Sequence, residues 1–222
     1  MRTIFLFLLL LQTPSIPKEE LLGQFDQSQH PDFILVETKH ASKPGLYLRI
    51  ETYEAFKKMA DQAAKDGVKL TIVSATRNFN YQKGIWERKW NKPKYMGWQS
   101  MNKTQDILRY SSMPGTSRHH WGTDIDLNQL ENSWFEQAEG KKLYNWLTLH
   151  GADFGFQQVY TSQENGRTGY QEEKWHWSYM PLAKNFLAEY LRKISYSDLN
   201  GFEGDATAAD VKAIRNYVKG IE

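Results

Sequence analysis

The segment SRHHWGTDIDLN, residues 117–128, restricts the possible folds of this chain more than any other stretch. In its second half, Ile125 and Leu127 alternate with Asp124 and Asp126, and successive side chains of a β-strand point to opposite faces of a sheet. The alternation predicts a strand with one apolar face in the core and one acidic face. Because buried carboxylates are costly unless they are paired, we expect the acidic face to form the floor of a polar cleft.

Histidines accompany this acidic face. His119 and Asp126 are seven residues apart, and a straight strand would separate them by about 23 Å. Gly122 lies between them and permits a turn that would bring them together. A later segment, EEKWHWSY, contains His176 with Glu173 three residues before it. Two histidines, an aspartate and a further carboxylate are residue types of a catalytic zinc site, in which three side chains hold the metal and a carboxylate acts as base.

Composition excludes several other classes of site. The chain has 222 residues and no cysteine, so disulfides, cysteine-based metal sites and a cysteine nucleophile are excluded. Its formal net charge of +2 gives no indication of a nucleic-acid partner. No segment approaches the roughly 20 apolar residues that cross a bilayer, so we expect no stable membrane insertion. We further expect a monomer.

Residues 1–17, MRTIFLFLLLLQTPSIP, have the pattern of a secretory signal peptide. Arg2 gives a positive start, and the apolar run from Ile4 to Leu11 has the length of an h-region. A buried strand is the alternative interpretation, and the sequence shows no clear cleavage site. We therefore expect an exported protein, periplasmic or extracellular, in which residues 18–222 form a single domain.

Strands and helices are intermixed without regular βαβ alternation. This order predicts an α+β fold, with a small, mainly antiparallel central sheet flanked by helices and a metal cleft on one sheet face. Strands are expected within residues 32–37, 45–50, 68–77, 123–128 and 174–180. Helices are expected at 52–67, within 78–98, and at 103–112, 138–151, 181–194 and 207–221, with Thr52 capping the first and Pro181 at the first position of the 181–194 helix.

Three motifs resemble those of the zinc peptidases grouped as lysostaphin, D-Ala-D-Ala peptidase and sonic hedgehog types. SRHHWGTDID resembles the S-x-H-x-x-G-x-A-x-D signature of that group. EKWHWSY and SATRNFNYQ resemble the E-x-W-H-x-x-Y and S-x-x-R-S-x-x-x-Q stretches of its VanY-like D-alanyl-D-alanine carboxypeptidases. The motifs occur in the family's order over residues 74–179, and two metal motifs with correct internal spacing make the resemblance specific.

The resemblance implies a role for each matching residue. The implied ligands of one Zn²⁺ ion per chain are His119, Asp126 and His176. Glu173 matches the catalytic base, and Arg77 matches the arginine that binds substrate and stabilises charge on the scissile carbonyl. The charge that Arg77 offsets is either the substrate carboxylate or the developing oxyanion. Ser117 and Gln82 match positions that line the substrate site.

The chain departs from the family pattern at two positions. Asp124 stands where the family usually has Ala, and Asn78 replaces the usual Ser after the arginine. By alternation Asp124 faces the metal side, where it either orients a metal ligand or contacts a substrate amine. His120, beside His119, matches no ligand position, and we expect it to have another role.

The function implied by the resemblance is removal of the terminal D-alanine from peptidoglycan stem peptides by a metal-activated water. An L,D-carboxypeptidase or an endopeptidase on the same peptides would use the same chemistry. A non-catalytic, zinc-containing cell-wall binding module is the alternative from another class. The presence of Glu173 favours an enzyme over that module.

Overall fold

The structure, a computed structural model, describes residues 15–220. Residues 1–14 of the predicted signal peptide therefore lie outside the described residues. At the first of these residues, the Lys193 ammonium donates a hydrogen bond to the Ser15 hydroxyl, with 2.6 Å between Nζ and Oγ. No helix within residues 15–220 is both long enough and apolar enough to cross a membrane.

Six α-helices and six short strands make up the regular structure of these residues. The α-helices are α1 (Lys18–Leu21), α2 (Ile50–Lys65), α3 (Phe79–Trp90), α4 (Ser100–Ile107), α5 (Ala138–His150) and α6 (Met180–Lys193). The strands are β1 (Phe33–Leu35), β2 (Tyr47–Arg49), β3 (Ile72–Ser74), β4 (Asp124–Leu127), β5 (Phe156–Gln158) and β6 (His176–Tyr179). Short 3₁₀ helices cover Pro93–Tyr95, Arg118–Trp121, Asn132–Glu136, Gly151–Phe154, Gln163–Asn165, Tyr196–Asp198 and Asp205–Thr207, and a π-helix covers Ile214–Lys219.

The central sheet is antiparallel and has the strand order β3-β4-β6-β5. Strands β1 and β2 form a separate antiparallel pair. The prediction of an α+β fold with a small antiparallel sheet flanked by helices is confirmed. In the central pair β4 and β6, Asp126 lies opposite His176 and Asp124 opposite Ser178.

The two faces of β4 differ as the alternation predicts. Ile125 and Leu127 are fully buried in an apolar cluster with Trp177 of β6 and with side chains from α2 and α5. A second apolar cluster surrounds the buried Trp121 and includes side chains from α3, α4 and α6. Asp124 and Asp126 lie on the opposite face of β4. On that face, the neighbouring strand β6 places Ser178 beside Asp124 and His176 beside Asp126.

Several element predictions are wrong in detail. The expected helix at 207–221 does not form as one unit, because Lys212 adopts a left-handed backbone with φ 54° that interrupts helical hydrogen bonding. Helix α2 begins at Ile50 after Arg49, so Thr52 lies buried inside the helix rather than capping it. Pro181 is the second residue of α6, one position later than expected. Strand β5 was not expected from the sequence.

Candidate active site

A tight turn brings His119 next to the polar face of β4. The 3₁₀ helix Arg118–Trp121 carries the histidine and ends at Gly122, which has a left-handed φ of 73°. A Cβ at Gly122 would also lie 2.4 Å from Cε1 of Phe33. Only glycine meets both requirements, so the turn predicted between His119 and the strand depends on this residue.

The three predicted ligands lie together in the structure. His119, Asp126 and His176 are all buried, and one potential ligand atom from each lies within 4.8 Å of the others. His119 Nε2 is 3.3 Å from Asp126 Oδ2, and His176 Nδ1 is 3.0 Å from Asp126 Oδ1. The antiparallel register of β4 and β6 produces the second of these contacts directly.

Hydrogen bonds at the far side of each ring select the nitrogen that faces the cluster. His119 Nδ1 donates to the Ala75 carbonyl at 2.8 Å, and within residues 15–220 its buried Nε2 has no hydrogen-bond partner. His176 Nε2 donates to Asp124 Oδ2 at 2.8 Å, which directs Nδ1 towards Asp126. Each histidine is thus held by a hydrogen bond from the nitrogen that faces away from the cluster. The remaining donor set, two imidazole nitrogens and one carboxylate, fits a zinc ion.

Asp124 is the centre of a buried polar network. Its Oδ2 accepts from Arg118 Nε at 3.0 Å as well as from His176, and its Oδ1 accepts from the hydroxyls of Thr123 and Ser178, each at 2.7 Å. Burial alone would raise the pKa of Asp124, but Arg118 and His176 outweigh it and hold that pKa well below the usual range. Asp124 is fully buried and is not among the residues that line the cavity that opens beside the three predicted ligands.

His176 lies between two carboxylates. Burial would lower the pKa of this imidazole, but hydrogen bonds to Asp124 and Asp126 outweigh burial and raise the pKa to about 9. The Tyr160 ring packs over the imidazole with 4.2 Å between ring centroids. The position of the His176 ring is therefore restricted by both hydrogen bonds and packing.

Glu173 stands at the edge of the ligand cluster. Its Oε2 is 3.9 Å from His176 Nδ1, and the side chain lines a cavity of about 620 Å³ that also exposes parts of His119, Asp126 and His176. Burial raises the pKa of Glu173 to about 7, although His176 opposes the shift. A carboxyl with this pKa beside the cluster is suited to accept a proton and return it near neutral pH.

Arg77 and Gln82 line the same cavity. Arg77 Nη1 donates to Ser74 Oγ at 3.1 Å and lies 3.6 Å from Asp126 Oδ2. Gln82 Nε2 donates to the Ser112 carbonyl at 2.8 Å. Within residues 15–220, Arg77 Nε and Gln82 Oε1 are buried and have no hydrogen-bond partner.

The structure separates two other residues from the cavity. Ser117 is buried and is not among the residues that line the cavity. His120 Nδ1 donates to the Arg77 carbonyl at 2.6 Å, and its Nε2 accepts from the Gly115 amide at 3.0 Å. Burial lowers the pKa of His120 to about 3, so this ring is a neutral group that connects two loops.

Other side chains of the cavity wall were not expected from the sequence. They include Lys89, Ser111, Asn132, Tyr160 and Tyr170. Lys89 could have been found, because it follows Gln82 by seven residues and two helical turns return to the same face. Ser178, which donates to Asp124 and does not line the cavity, could also have been found, since alternation places it on the same strand face as His176. The loop residues carry no such pattern.

Comparison with known proteins identifies the family. The sequence model of VanY, D-alanyl-D-alanine carboxypeptidase, matches residues 45–182 and so covers every residue of the candidate site. The chain belongs to the VanY family. The resemblance inferred from the three motifs is thereby confirmed.

Relatives with known names agree with this assignment. A D-alanyl-D-alanine carboxypeptidase of Enterococcus faecalis is 29% identical over 135 residues, which are 61% of this chain and 48% of the relative. The chain spans about half the length of the curated relatives it matches, with 48% and 46% covered.

Two solved structures extend the comparison to three dimensions. VanYB in complex with D-alanine-D-alanine has a TM-score of 0.55 and 26% identity, over 76% of this chain and 92% of that chain. A mutant of the D,D-pentapeptidase VanY from the VanB-type vancomycin resistance cassette, in complex with Zn(II), has a TM-score of 0.53 and 25% identity, over 68% of this chain and 82% of that one.

Proposed function

We propose that this protein is a zinc-dependent peptidase that removes the terminal D-alanine from peptidoglycan stem peptides. The observation that carries the proposal is the buried cluster of His119, Asp126 and His176, which opens into a cavity beside Glu173. Membership of the VanY family supports the reaction class. The proposed substrate is supported by the D-alanine-D-alanine bound in the VanYB structure. The proposed metal is supported by the Zn(II) bound in the structure of the VanY mutant from the VanB-type cassette.

The residues of the site have separate roles in the proposed reaction. A zinc ion held by His119, Asp126 and His176 would lower the pKa of a bound water and polarise the scissile carbonyl. Glu173 accepts the proton of the attacking water on its carboxylate and passes that proton to the leaving amine. Arg77, next to Asp126, offsets negative charge that develops on the scissile carbonyl oxygen.

Arg77→Lys should lower kcat strongly, by roughly 10²- to 10³-fold, the usual effect of losing one donor to a developing oxyanion. Lysine keeps the positive charge but lacks the planar guanidinium, whose unpartnered Nε would be lost. Zinc content and the circular dichroism spectrum should be unchanged. Steady-state kinetics on a peptide ending in D-alanine measure the effect, and unchanged kinetics would remove Arg77 from the catalytic group.

We assign Asp124 a positioning role, because it holds His176 through Nε2 while Arg118 and Ser178 hold Asp124. Asp124→Asn should lower the zinc affinity by roughly 10- to 100-fold, the usual effect of removing a partner of a metal ligand. The change also leaves the buried Arg118 without a counter-charge, which should destabilise the fold by about 3–5 kcal/mol.

Competition with a chelator measures the zinc affinity of the Asp124→Asn protein, and thermal melting measures its stability. Ser178→Ala is the matched control, since it removes one neutral partner of Asp124 and leaves the contact with His176 in place. Wild-type zinc affinity in the Asp124→Asn protein would contradict the positioning role.

Three peptides separate the proposed reaction from its nearest alternatives. The zinc-loaded protein should release one residue from a stem peptide ending in D-Ala-D-Ala, and mass spectrometry identifies the product. Release of D-alanine only from the tetrapeptide that already lacks the last residue would indicate an L,D-carboxypeptidase. Cleavage of a peptide with an amidated terminus would indicate an endopeptidase, because an exopeptidase requires the free carboxylate.

Export is the second part of the proposal. Residues 1–17 have the pattern of a signal peptide, and peptidoglycan stem peptides are cell-wall substrates. Residues 18–222 would then form the single zinc peptidase domain of the mature protein, acting as a monomer in the periplasm or outside the cell. N-terminal sequencing of the secreted protein tests the cleavage, and light scattering tests the monomer.

A further inference from the structure

A second cation, Lys89, shares the cavity with the catalytic group. It lies on the last turn of α3, is half-buried, and lines the cavity together with Arg77 and Glu173. Its ammonium forms a hydrogen bond with the Ser111 hydroxyl. Within residues 15–220 this ammonium forms no ion pair.

The surroundings of Lys89 compensate its buried charge only in part. Burial lowers the pKa of Lys89, the nearby charges of Lys92 and Arg77 add to that shift, and Glu173 opposes it. A lysine ammonium has three N–H donors, and Ser111 accepts only one. By contrast, Lys83 on the same helix lies 3.8 Å from Glu87, at a position that does not line the cavity. An anion that entered the cavity would supply the partner that Lys89 lacks.

Arg77 is less available for such an anion. Its Nη1 already donates to Ser74 and lies beside the ligand Asp126, so its charge is directed towards the metal cluster. Lys89 approaches the cavity from the opposite end of α3, eleven residues after the N-cap of that helix. The cavity therefore has one cation, Arg77, beside the ligand Asp126, and a second cation, Lys89, on the last turn of α3.

We propose that Lys89 and Ser111 form a subsite that binds a carboxylate of the peptide substrate, separate from the charge that Arg77 neutralises. This inference rests on the proposed function and adds a specificity determinant to it. The carboxylate has two possible sources, the free terminus of the peptide or an acidic residue further along the stem. Both present the same chemistry to an ammonium and a hydroxyl.

Lys89→Met tests the subsite, because methionine replaces the ammonium with an apolar chain of similar length. KM for the stem peptide should rise by roughly 10- to 100-fold, as expected for a hydrogen bond to a charged group, while kcat changes little. Lys89→Arg should recover part of the loss because it keeps the charge. Lys83→Met is the matched control on the same helix and should leave both constants unchanged. The difference in KM should shrink at high salt.

Two modified peptides identify the source of the carboxylate. If Lys89 binds the terminus, the loss of affinity caused by Lys89→Met, measured by calorimetry in the zinc-loaded Glu173→Gln background, should disappear on an amidated peptide. If it binds an acidic residue, this loss of affinity should disappear on a peptide in which that residue is neutral. Unchanged KM for the unmodified peptide in Lys89→Met, or the same loss of affinity on all three peptides, would overturn the proposal. A lower melting temperature with unchanged KM would show a structural role only.

Binding measurements keep this test independent of catalysis. Calorimetry compares the stem peptide on zinc-loaded Glu173→Gln with the same peptide on Glu173→Gln/Lys89→Met. Weaker binding in the double variant supports the subsite even if the wild type hydrolyses no peptide, in which case only the proposed reaction fails. Equal binding contradicts the subsite whatever the activity.

Discussion

His176→Ala should leave the protein with almost no bound zinc and nearly no peptidase activity. The change removes one of three ligands and also frees Asp124 and Asp126, which both contact this ring. The loss of activity should exceed the roughly 10- to 100-fold that follows from removing only a partner of a ligand. Elemental analysis of the purified protein measures the zinc, and kinetics on a stem peptide measure the activity.

His150→Ala is the control for this change. His150 lies in α5 with its side chain 43% exposed, and its Nδ1 is 3.8 Å from Oδ2 of the exposed Asp153. This variant should keep the wild-type zinc content and activity. One full equivalent of zinc in the His176→Ala protein would show that the ligand assignment is wrong.

Glu173→Gln should retain its zinc and its melting temperature but lose at least about 100-fold in turnover, since general-base assistance contributes about 10²- to 10⁴-fold. Glutamine keeps the shape of the side chain and loses its basicity. Glu173 stands near His176 without belonging to the three-residue ligand cluster, so metal binding should survive. Kinetics and metal analysis on the same preparation separate the two effects.

The neighbouring Glu172→Gln serves as the control for charge, because Glu172 does not line the cavity. Its turnover should match the wild type. If the wild type hydrolyses no stem peptide, and Glu173→Gln binds the same peptides equally well, the protein is a zinc-containing binding module and Glu173 has no catalytic role.

The part of the site that the sequence predicts is the part governed by strand periodicity and motif spacing. Alternation along β4 correctly separates Ile125 and Leu127 from Asp124 and Asp126. The position of Gly122 correctly indicates the turn that returns His119 to that strand. These features are local, and a period of two or a single left-handed residue is visible in one sequence.

Features that depend on the direction of a side chain or on the backbone angle of one ordinary residue were not predictable in the same way. The hydrogen bond from Arg118 to Asp124 requires the direction of a side chain in a 3₁₀ helix, which no sequence pattern specifies. The last segment has helical composition, but Lys212 takes a left-handed backbone that its residue type does not favour. Local sequence preference therefore does not determine the structure at either place.

The most direct test of the central claim is product analysis with and without metal. The wild-type protein is stripped with a chelator, divided, and incubated with a stem peptide ending in D-Ala-D-Ala, with and without one equivalent of zinc. The zinc-dependent peptidase proposed here should release a single D-alanine in the zinc-loaded sample and none in the stripped sample, as followed by mass spectrometry. Equal release in both samples, or no release in either, would contradict it.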